Sequence, residues 1–464
     1  MNKKYFKGIV LVGVAASVGL SSCQFANKYK APEIDSESLY RDWNTTDTTT
    51  IANISWQEYF KDPILQSMID EALESNYDMQ IVAERIKQAE AVLGMARAAY
   101  FPNLAIAGDV TQIRGAGRKT NILGPHSETI RLGATASWEL DVWGKLNRQQ
   151  RSKYADMLNS YAGRNLLQTS LISNMAISYY SLMALDEQLR ITQESILLMQ
   201  ETVSSMEALM EAGMQNAAAV EQTKASLYQM QASIPDLESN IRKLENTICL
   251  MLGRKPDAML RSSLNDQYIP TKLAAGIPVQ MLAKRPDVKQ AELSFRSAFE
   301  LTNAAQASFY PSITLSGMIG YAPSSLSGFF RPENIFAQIA GGITQPIFAR
   351  KQLITQYKVA KAEQQAALLN FEKAVLSAGK EVSDIMFTFE SSLKKNAIRT
   401  RQVESLSKSV DYTQELLKAG EANYLEVISA EQNLLQAQVN QVNDKLQQLQ
   451  ATADLYRALG GGAK

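Results

Sequence analysis

Residues 209–220 read LMEAGMQNAAAV and residues 416–427 read LLKAGEANYLEV. Leu209, Ala212, Gly213 and Val220, with Leu227 beyond them, stand 207 positions ahead of Leu416, Ala419, Gly420, Val427 and Leu434. A second set agrees: Ala89, Ala96, Ala98, Pro102 and Gly108 precede Ala298, Ala305, Ala307, Pro311 and Gly317 by 209. A chain that repeats itself on this scale has half its length as the structural unit. The offset is about 205 where Trp143 meets Phe348, so the halves differ in hairpin-loop length and regain register along the helices.

Outward from each glycine the sequence reads as long helices. Lys145 to Met210 carries no proline and only Gly163; Ala349 to Ala419 carries none and only Gly379. At 1.5 Å per residue these would run roughly 100 and 105 Å. The return helices, Asn216 to Met251 and Ala422 to Arg457, are about half as long. Pro63 to Ala99 is a further helix, with Leu65, Met68, Ile69, Leu73, Ile81, Val82, Ile86, Ala89 and Leu93 at helical spacing. Two short helices laid end to end beside each long one would match its length. On the last helix, Leu425, Ile428, Gln432, Leu435, Val439, Val442, Leu446, Leu449, Ala453 and Tyr456 step by threes and fours, a heptad seam with one polar member.

Between helices the period falls to two. Leu104, Ile106, Gly108 and Val110 alternate with Asn103, Ala105, Ala107 and Asp109. After a loop holding Gly115, Gly117, Gly124, Pro125 and His126, the set Leu132, Ala134, Ala136, Trp138 and Leu140 opposes Arg131, Gly133, Thr135, Ser137 and Glu139. The second half has Ile313, Leu315, Gly317, Ile319 and Tyr321, then Ile335, Ala337, Ile339, Gly341 and Ile343. Strands of about nine residues cross a bilayer when tilted. Four strands cannot close a barrel, and open edges are unsatisfied in lipid, so the chain must associate with copies of itself. Two copies supply eight strands and a filled lumen; three supply 12 and a pore. Thr135, Ser137, Thr314 and Ser316 favour a wet lumen.

The N-terminus reads as an export signal: Lys3, Lys4 and Lys7 precede an apolar run from Ile9 to Leu20, too short to span a bilayer. Leu20, Ser21, Ser22 and Cys23 resemble a bacterial lipobox, which implies an N-acyl diglyceride and palmitate on Cys23. Gln24 follows it, so the usual inner-membrane retention signal is not matched. Asn27 to about Asn53 is polar, a tether. Cys249 then has no disulfide partner and, among Ile248, Leu250, Met251 and Leu252, reads as core. Without Lys3, Lys4 and Lys7 the 47 basic residues fall to 44 against 47 acidic, which supplies no nucleic-acid face.

The chain has one histidine, His126, and no P-loop, GxSxG or HExxH, which argues against an enzyme and for energy supplied by partners. Met199, Met206, Met210 and Met214 open a soft-metal export reading against one of adaptable packing.

The Cys23 lipobox, Tyr29–Pro32, Trp56 with Asp62–Pro63, Tyr100–Phe101–Pro102 and Trp138–Gly144 (WELDVWG) resemble the TolC/NodT family of outer-membrane efflux lipoproteins. So do Arg285–Pro286–Asp287, Phe309–Tyr310–Pro311, Gln345–Phe348 and Leu455–Gly462. The resemblance runs through the mature chain. It implies a membrane α+β protein, a TolC-like trimer whose 12-strand transmembrane β-barrel, four strands per chain, continues as a long periplasmic α-helical coiled-coil barrel. It implies a lipid-anchored place in the outer membrane and a passive, gated exit duct for drugs or other small molecules. A periplasmic adaptor protein and an inner-membrane RND-type transporter are the implied partners. Residues 1–22 would be the signal peptide, 23–55 the acylated tether, 56–265 and 266–460 the two repeats, and 461–464 a tail.

In such a trimer Gly213 and Gly420 would mark the periplasmic tip, Leu425 a hydrophobic constriction and Glu426 an acidic ring. Where the family often places an Asp and a basic residue slightly further on, this chain has Ser429 and Gln432, which puts the gate-locking charge pair in doubt. Ala218 and Ala219 stand opposite Leu425 and Glu426, so the gate is expected on the second repeat. A type I protein-secretion duct, a soft-metal cation duct and a structural coiled-coil lipoprotein that never conducts are the competing readings.

Overall fold

The computed structural model describes residues 28–33, 39–40, 51–114, 126–270, 273, 276, 278–323 and 329–463. The elements run α1 (Trp56–Tyr59), α2 (Pro63–Ser75), α3 (Tyr77–Ala98), β1 (Asn103–Arg114), β2 (His126–Leu140), α4 (Lys145–Glu211) and α5 (Ala217–Met251). They continue α6 (Pro278–Lys284), α7 (Pro286–Ala307), β3 (Ser312–Tyr321), β4 (Ile335–Thr344), α8 (Gln352–Lys418) and α9 (Tyr424–Ala458). The duplication is visible in the lengths: α4 and α8 have 67 residues each, α5 and α9 have 35, and α3 and α7 have 22.

The chain divides into two compact units, each drawing on both repeats. One comprises Met1–Glu33, Lys87–Leu158 and Glu292–Asn370; the other comprises Ile34–Ile86, Asn159–Ala291 and Phe371–Lys464.

The first unit holds one antiparallel sheet in the order β1-β2-β3-β4, so β1 and β4 are its edges. The register carries the apolar alternation from strand to strand: Leu104 pairs with Ala136, Ala136 with Gly317 and Gly317 with Ile339. Side chains alternate across a strand, so these positions share one face, and Thr135, Ser137, Thr314 and Ser316 share the other. Ile106, Ile339 and Ile343 are each more than 70% exposed, part of an apolar face left open among the described residues. The strands are longer than the nine residues expected, with 12 in β1 and 15 in β2, and His126 lies at the start of β2 instead of in the loop. Asp109 and Arg131, partners in the register, also form an ion pair at 3.3 Å across β1 and β2, and the pairing runs on to Arg114 and His126.

The WELDVWG motif turns the sheet into a helix. Trp138 Nε1 donates to the Tyr100 carbonyl at 2.8 Å and Trp143 Nε1 to the Pro311 carbonyl at 2.7 Å. Asp141 accepts from the backbone of Leu146 and Asn147, satisfying donors that the start of α4 leaves open. Glu300, wholly buried on α7, is held by Arg148 at 2.8 Å and Arg151 at 3.1 Å. Tyr29 packs against Phe295 and Phe299, fastening part of the stretch read as a tether, because aromatic burial outweighs its polar surroundings.

The second unit is helical. Asp62 caps α2 through its Oδ1 on the Ile64 backbone, ahead of Pro63 at the first helical position. The helix expected over Pro63 to Ala99 breaks at Asn76. That side chain accepts from the backbone of Asp78 and Met79 and donates to the Met251 carbonyl at 2.9 Å. The end-to-end joint between short helices therefore lies at Asn76 and the end of α5. Beside it Leu65, Ile69, Met79 and Ile248 pack with Ile172, Met175 and Met183 of α4 in one core. The second repeat answers with Met281, Leu282 and Val288 packed on Val375, Val382 and Phe389 of α8 and Leu455 of α9. Tyr40 and Ile51 are buried in that same core.

Arg285, in the RPD motif, ties this joint together. It reaches Asp287 at 2.6 Å, Glu381 at 2.7 Å and the Ala458 carbonyl at 2.7 Å. Helix α5 continues through Pro235, a residue the expected helix passed over. Cys249 is buried as expected, its Sγ 3.7 Å from the Met259 sulfur. No described helix is long and apolar enough to cross a membrane.

Candidate gate at the helical tip

The turns quoted at the outset have the same geometry. Gly213 has φ +75° and Gly420 φ +79°. Gly213 N donates to the Met210 carbonyl and Met214 N to the Leu209 carbonyl; Gly420 and Glu421 repeat the pattern onto Leu417 and Leu416. This closes each long helix with a Schellman motif, in which the left-handed residue favours glycine. Asn216 and Asn423 then cap the return helices, accepting from Ala219 N at 3.0 Å and Leu425 N at 3.2 Å.

The two turns pack on each other. Met206, Ala219, Val220, Leu417, Ala422 and Val427 form a buried cluster, with Leu209, Met210 and Tyr424 against it. A Cβ on Gly420 would lie 3.3 Å from Met214 Cε, whereas one on Gly213 would meet nothing within 4 Å. Met199 and Met206 are fully buried in the tip cores, where they act as packing.

The candidate gate residues share one face of α9. Leu425 is 48% exposed, and Glu426, Ser429 and Gln432 are exposed with Asn433 and Gln436. At 3.6 residues per turn these six span an arc of about 120°. The rest of the circumference is buried or half-buried: Val427, Ile428, Ala430, Glu431, Leu434, Leu435 and Ala437. The heptad seam is therefore corrected at its start. Ile428, Val442, Leu449, Ala453 and Tyr456 are buried as expected, but Leu425 and Gln432 face outward. Packing from two sides, by α4 and α8, buries a broader arc than a two-stranded seam needs.

Glu431 is the residue that sequence reasoning missed. It is 4% exposed. Its Oε1 accepts from Thr202 Oγ1 of α4 at 2.6 Å and from Gln414 Nε2 of α8 at 2.9 Å. Its buried Oε2 has no partner. Burial raises the carboxyl above the usual range; the two hydrogen bonds pull the other way, and the Glu201 charge adds to the rise. One signal was present. The 207-residue offset sets Glu431 against Lys224 and Gln414 against Glu207. In the first repeat these form an ion pair at 2.8 Å, and Lys224 also reaches Glu221 at 3.6 Å.

Cys23 lies outside the described residues. Among the described residues no group of histidine, cysteine, aspartate and glutamate side chains is arranged to hold a metal ion.

Comparison with known proteins bears on this architecture directly. The model of the family described as "Outer membrane efflux protein" matches residues 68–254 and 277–461, one stretch in each repeat. The probable outer membrane lipoprotein SilC of Salmonella typhimurium is 27% identical over 97% of this chain and 98% of its own length. The cation efflux system protein CusC of Escherichia coli O6:H1 is 27% identical over 97% and 98%. Among solved structures the outer-membrane channel OprN superposes with a TM-score of 0.86 at 23% identity, covering 95% of this chain and all of that one. The long helices, the duplicated tip and the open four-stranded sheet are thus those of a TolC-like outer-membrane channel, and family members are channels, not enzymes. This chain belongs to the outer membrane efflux protein family.

Proposed function

We propose that three copies of this chain close a 12-strand barrel in the outer membrane, the β1 edge of each pairing with the β4 edge of the next. One observation carries it: among the described residues the sheet ends in two unpaired edges and presents one apolar face. Closure in lipid removes both costs, since unpaired backbone groups have no water there. The threonines and serines of the opposite face then line a wet lumen.

The assembly is the passive exit duct of a tripartite pump for drugs or other small molecules. A periplasmic adaptor and an inner-membrane RND-type transporter supply energy and selectivity. The relatives' names support this: CusC is named for cation efflux, and a duct takes its cargo from the transporter it serves. The buried Met199 and Met206 give no reason to assign a soft metal to the duct itself. At the tip six Schellman turns converge. Leu425 forms the constriction, and Glu426 an acidic ring beside it with Ser429 and Gln432 on the same face. The proposed boundaries are a signal peptide over 1–22, an acylated tether from Cys23 to 55, repeats over 56–265 and 266–460, and a tail over 461–464.

Planar-bilayer recording of the purified full-length protein tests the reading. The expected result is a trimer with small closed-state conductance that rises several-fold when Leu425 and Glu426 are both replaced by Ala. A protein that inserts and never conducts, in either form, sinks the duct.

A further inference from the structure

We propose that Glu431 is a proton-operated latch of the tip. Carrying a proton, it holds the first turns of α9 against α4 and α8; losing it, it releases them. The inference rests on the reading of the tip as the gate and names what controls it.

Glu431 sits at the centre of the buried arc of α9, one residue from Gln432 on the exposed arc that carries Leu425. It joins three helices through one oxygen: Thr202 from α4 and Gln414 from α8 both meet Oε1. The other oxygen is enclosed and unpartnered. An ionised carboxylate would leave that oxygen charged and without a donor, and removal of charge is the usual answer to such burial. A proton on Oε1 fits the site. It can be donated to Thr202 Oγ1, whose own proton has the Leu198 carbonyl at 3.3 Å as acceptor.

The surrounding charges agree. From α4 the charge acting on Glu431 is Glu201, of like sign. On α8 the facing group is the neutral Gln414, while Asp411, Glu415 and Lys418 are exposed. On α9 the nearest ionisable group in sequence is the exposed Glu426. On the other return helix Lys224, the counterpart of Glu431, is engaged by Glu207 and Glu221. The repeats explain the arrangement. Where the first holds a Lys224–Glu207 ion pair, the second has Glu431 opposite Gln414, with the cation gone and the carboxylate buried. The first repeat thus meets its partner through an ion pair, the second through a buried carboxyl whose hold depends on its proton.

A carboxyl whose pKa is raised in the packed state favours that state at low pH, and the preference is lost as pH rises through the raised value. Each unit of elevation is worth about tenfold in the ratio of released to latched tip.

The test uses the full-length protein in lipid, with amide-exchange protection of residues 425–436 and single-channel conductance followed from about pH 5 to about pH 8. Protection in the native protein should fall as pH rises. Glu431→Gln, of the same shape and always neutral, should stay protected throughout with low conductance. Gln414→Lys, which supplies the missing cation, should move the loss of protection out of the range. If protection follows pH alike in the native protein and Glu431→Gln, the latch is wrong, even where Leu425→Ala still raises conductance and the gate reading stands. If protection depends on Glu431 while conductance ignores both pH and Leu425→Ala, the latch is upheld and the gate reading falls.

Discussion

Gly213 and Gly420 share a left-handed backbone but have different neighbours, and the difference is measurable. A side chain at either position meets the αL penalty of roughly 1–2 kcal/mol. At Gly213 that is the whole cost, since a Cβ there would stand in open space. At Gly420 the Cβ would also press on the terminus of Met214, from the other turn, at 3.3 Å. Gly420→Ala should therefore loosen the tip more than Gly213→Ala. Amide exchange over residues 416–427 and 209–220 would register it, and equal effects would deny that Met214 couples the turns. The same logic separates Glu431 from Glu426: of two acids on one helix, one lies in solvent and the other is buried against Thr202 and Gln414.

At the scale of the element, composition proves a weaker guide than capping. No proline and no glycine interrupts residues 64–93, yet the helix stops at Asn76, because a side chain that caps in both directions stabilises the break. Asn76→Ala removes two acceptor bonds to the start of α3 and the donor bond to Met251. The expected loss is about 1–2 kcal/mol, read as a lower midpoint in urea unfolding of the extracted protein. Asn76→Asp keeps the acceptors and should recover most of it; no recovery would mean that the Met251 contact is the one that matters. Pro235 shows the converse. It lies inside α5, and the helix carries on, held by packing on both sides of it.

For the molecule as a whole, the chain is incomplete by itself. Among the described residues its sheet has two free edges and an exposed apolar face. Anchoring is the complementary expectation. Cys23→Ala should abolish palmitate labelling of the exported protein, and labelling that persists would remove the lipobox reading. Barrel closure should be independent of it, so the unacylated protein is expected to remain trimeric by native mass.

Much of this was legible in the residues. Alternation in Leu104–Val110 and Leu132–Leu140 marked the strands, since a period of two has one structural meaning when it recurs at matching places in a duplicated chain. The turns at Gly213 and Gly420 were equally plain. The exposure of Leu425 and Gln432 was not, because a heptad pattern names an apolar stripe without saying how many neighbours bury it. Glu431 was hidden for the same reason.

Periodicity, glycine and repeat offset act through neighbours along the chain, and so the duplication, the kinds of elements, the tip turns and the family could be read from the residues alone. Which faces of α9 are covered, where the short helices join, and that Glu431 is buried against Thr202 and Gln414 came only with the fold. Those depend on contacts between residues hundreds of positions apart, such as Thr202 with Glu431, and burial is set by the helices that meet there.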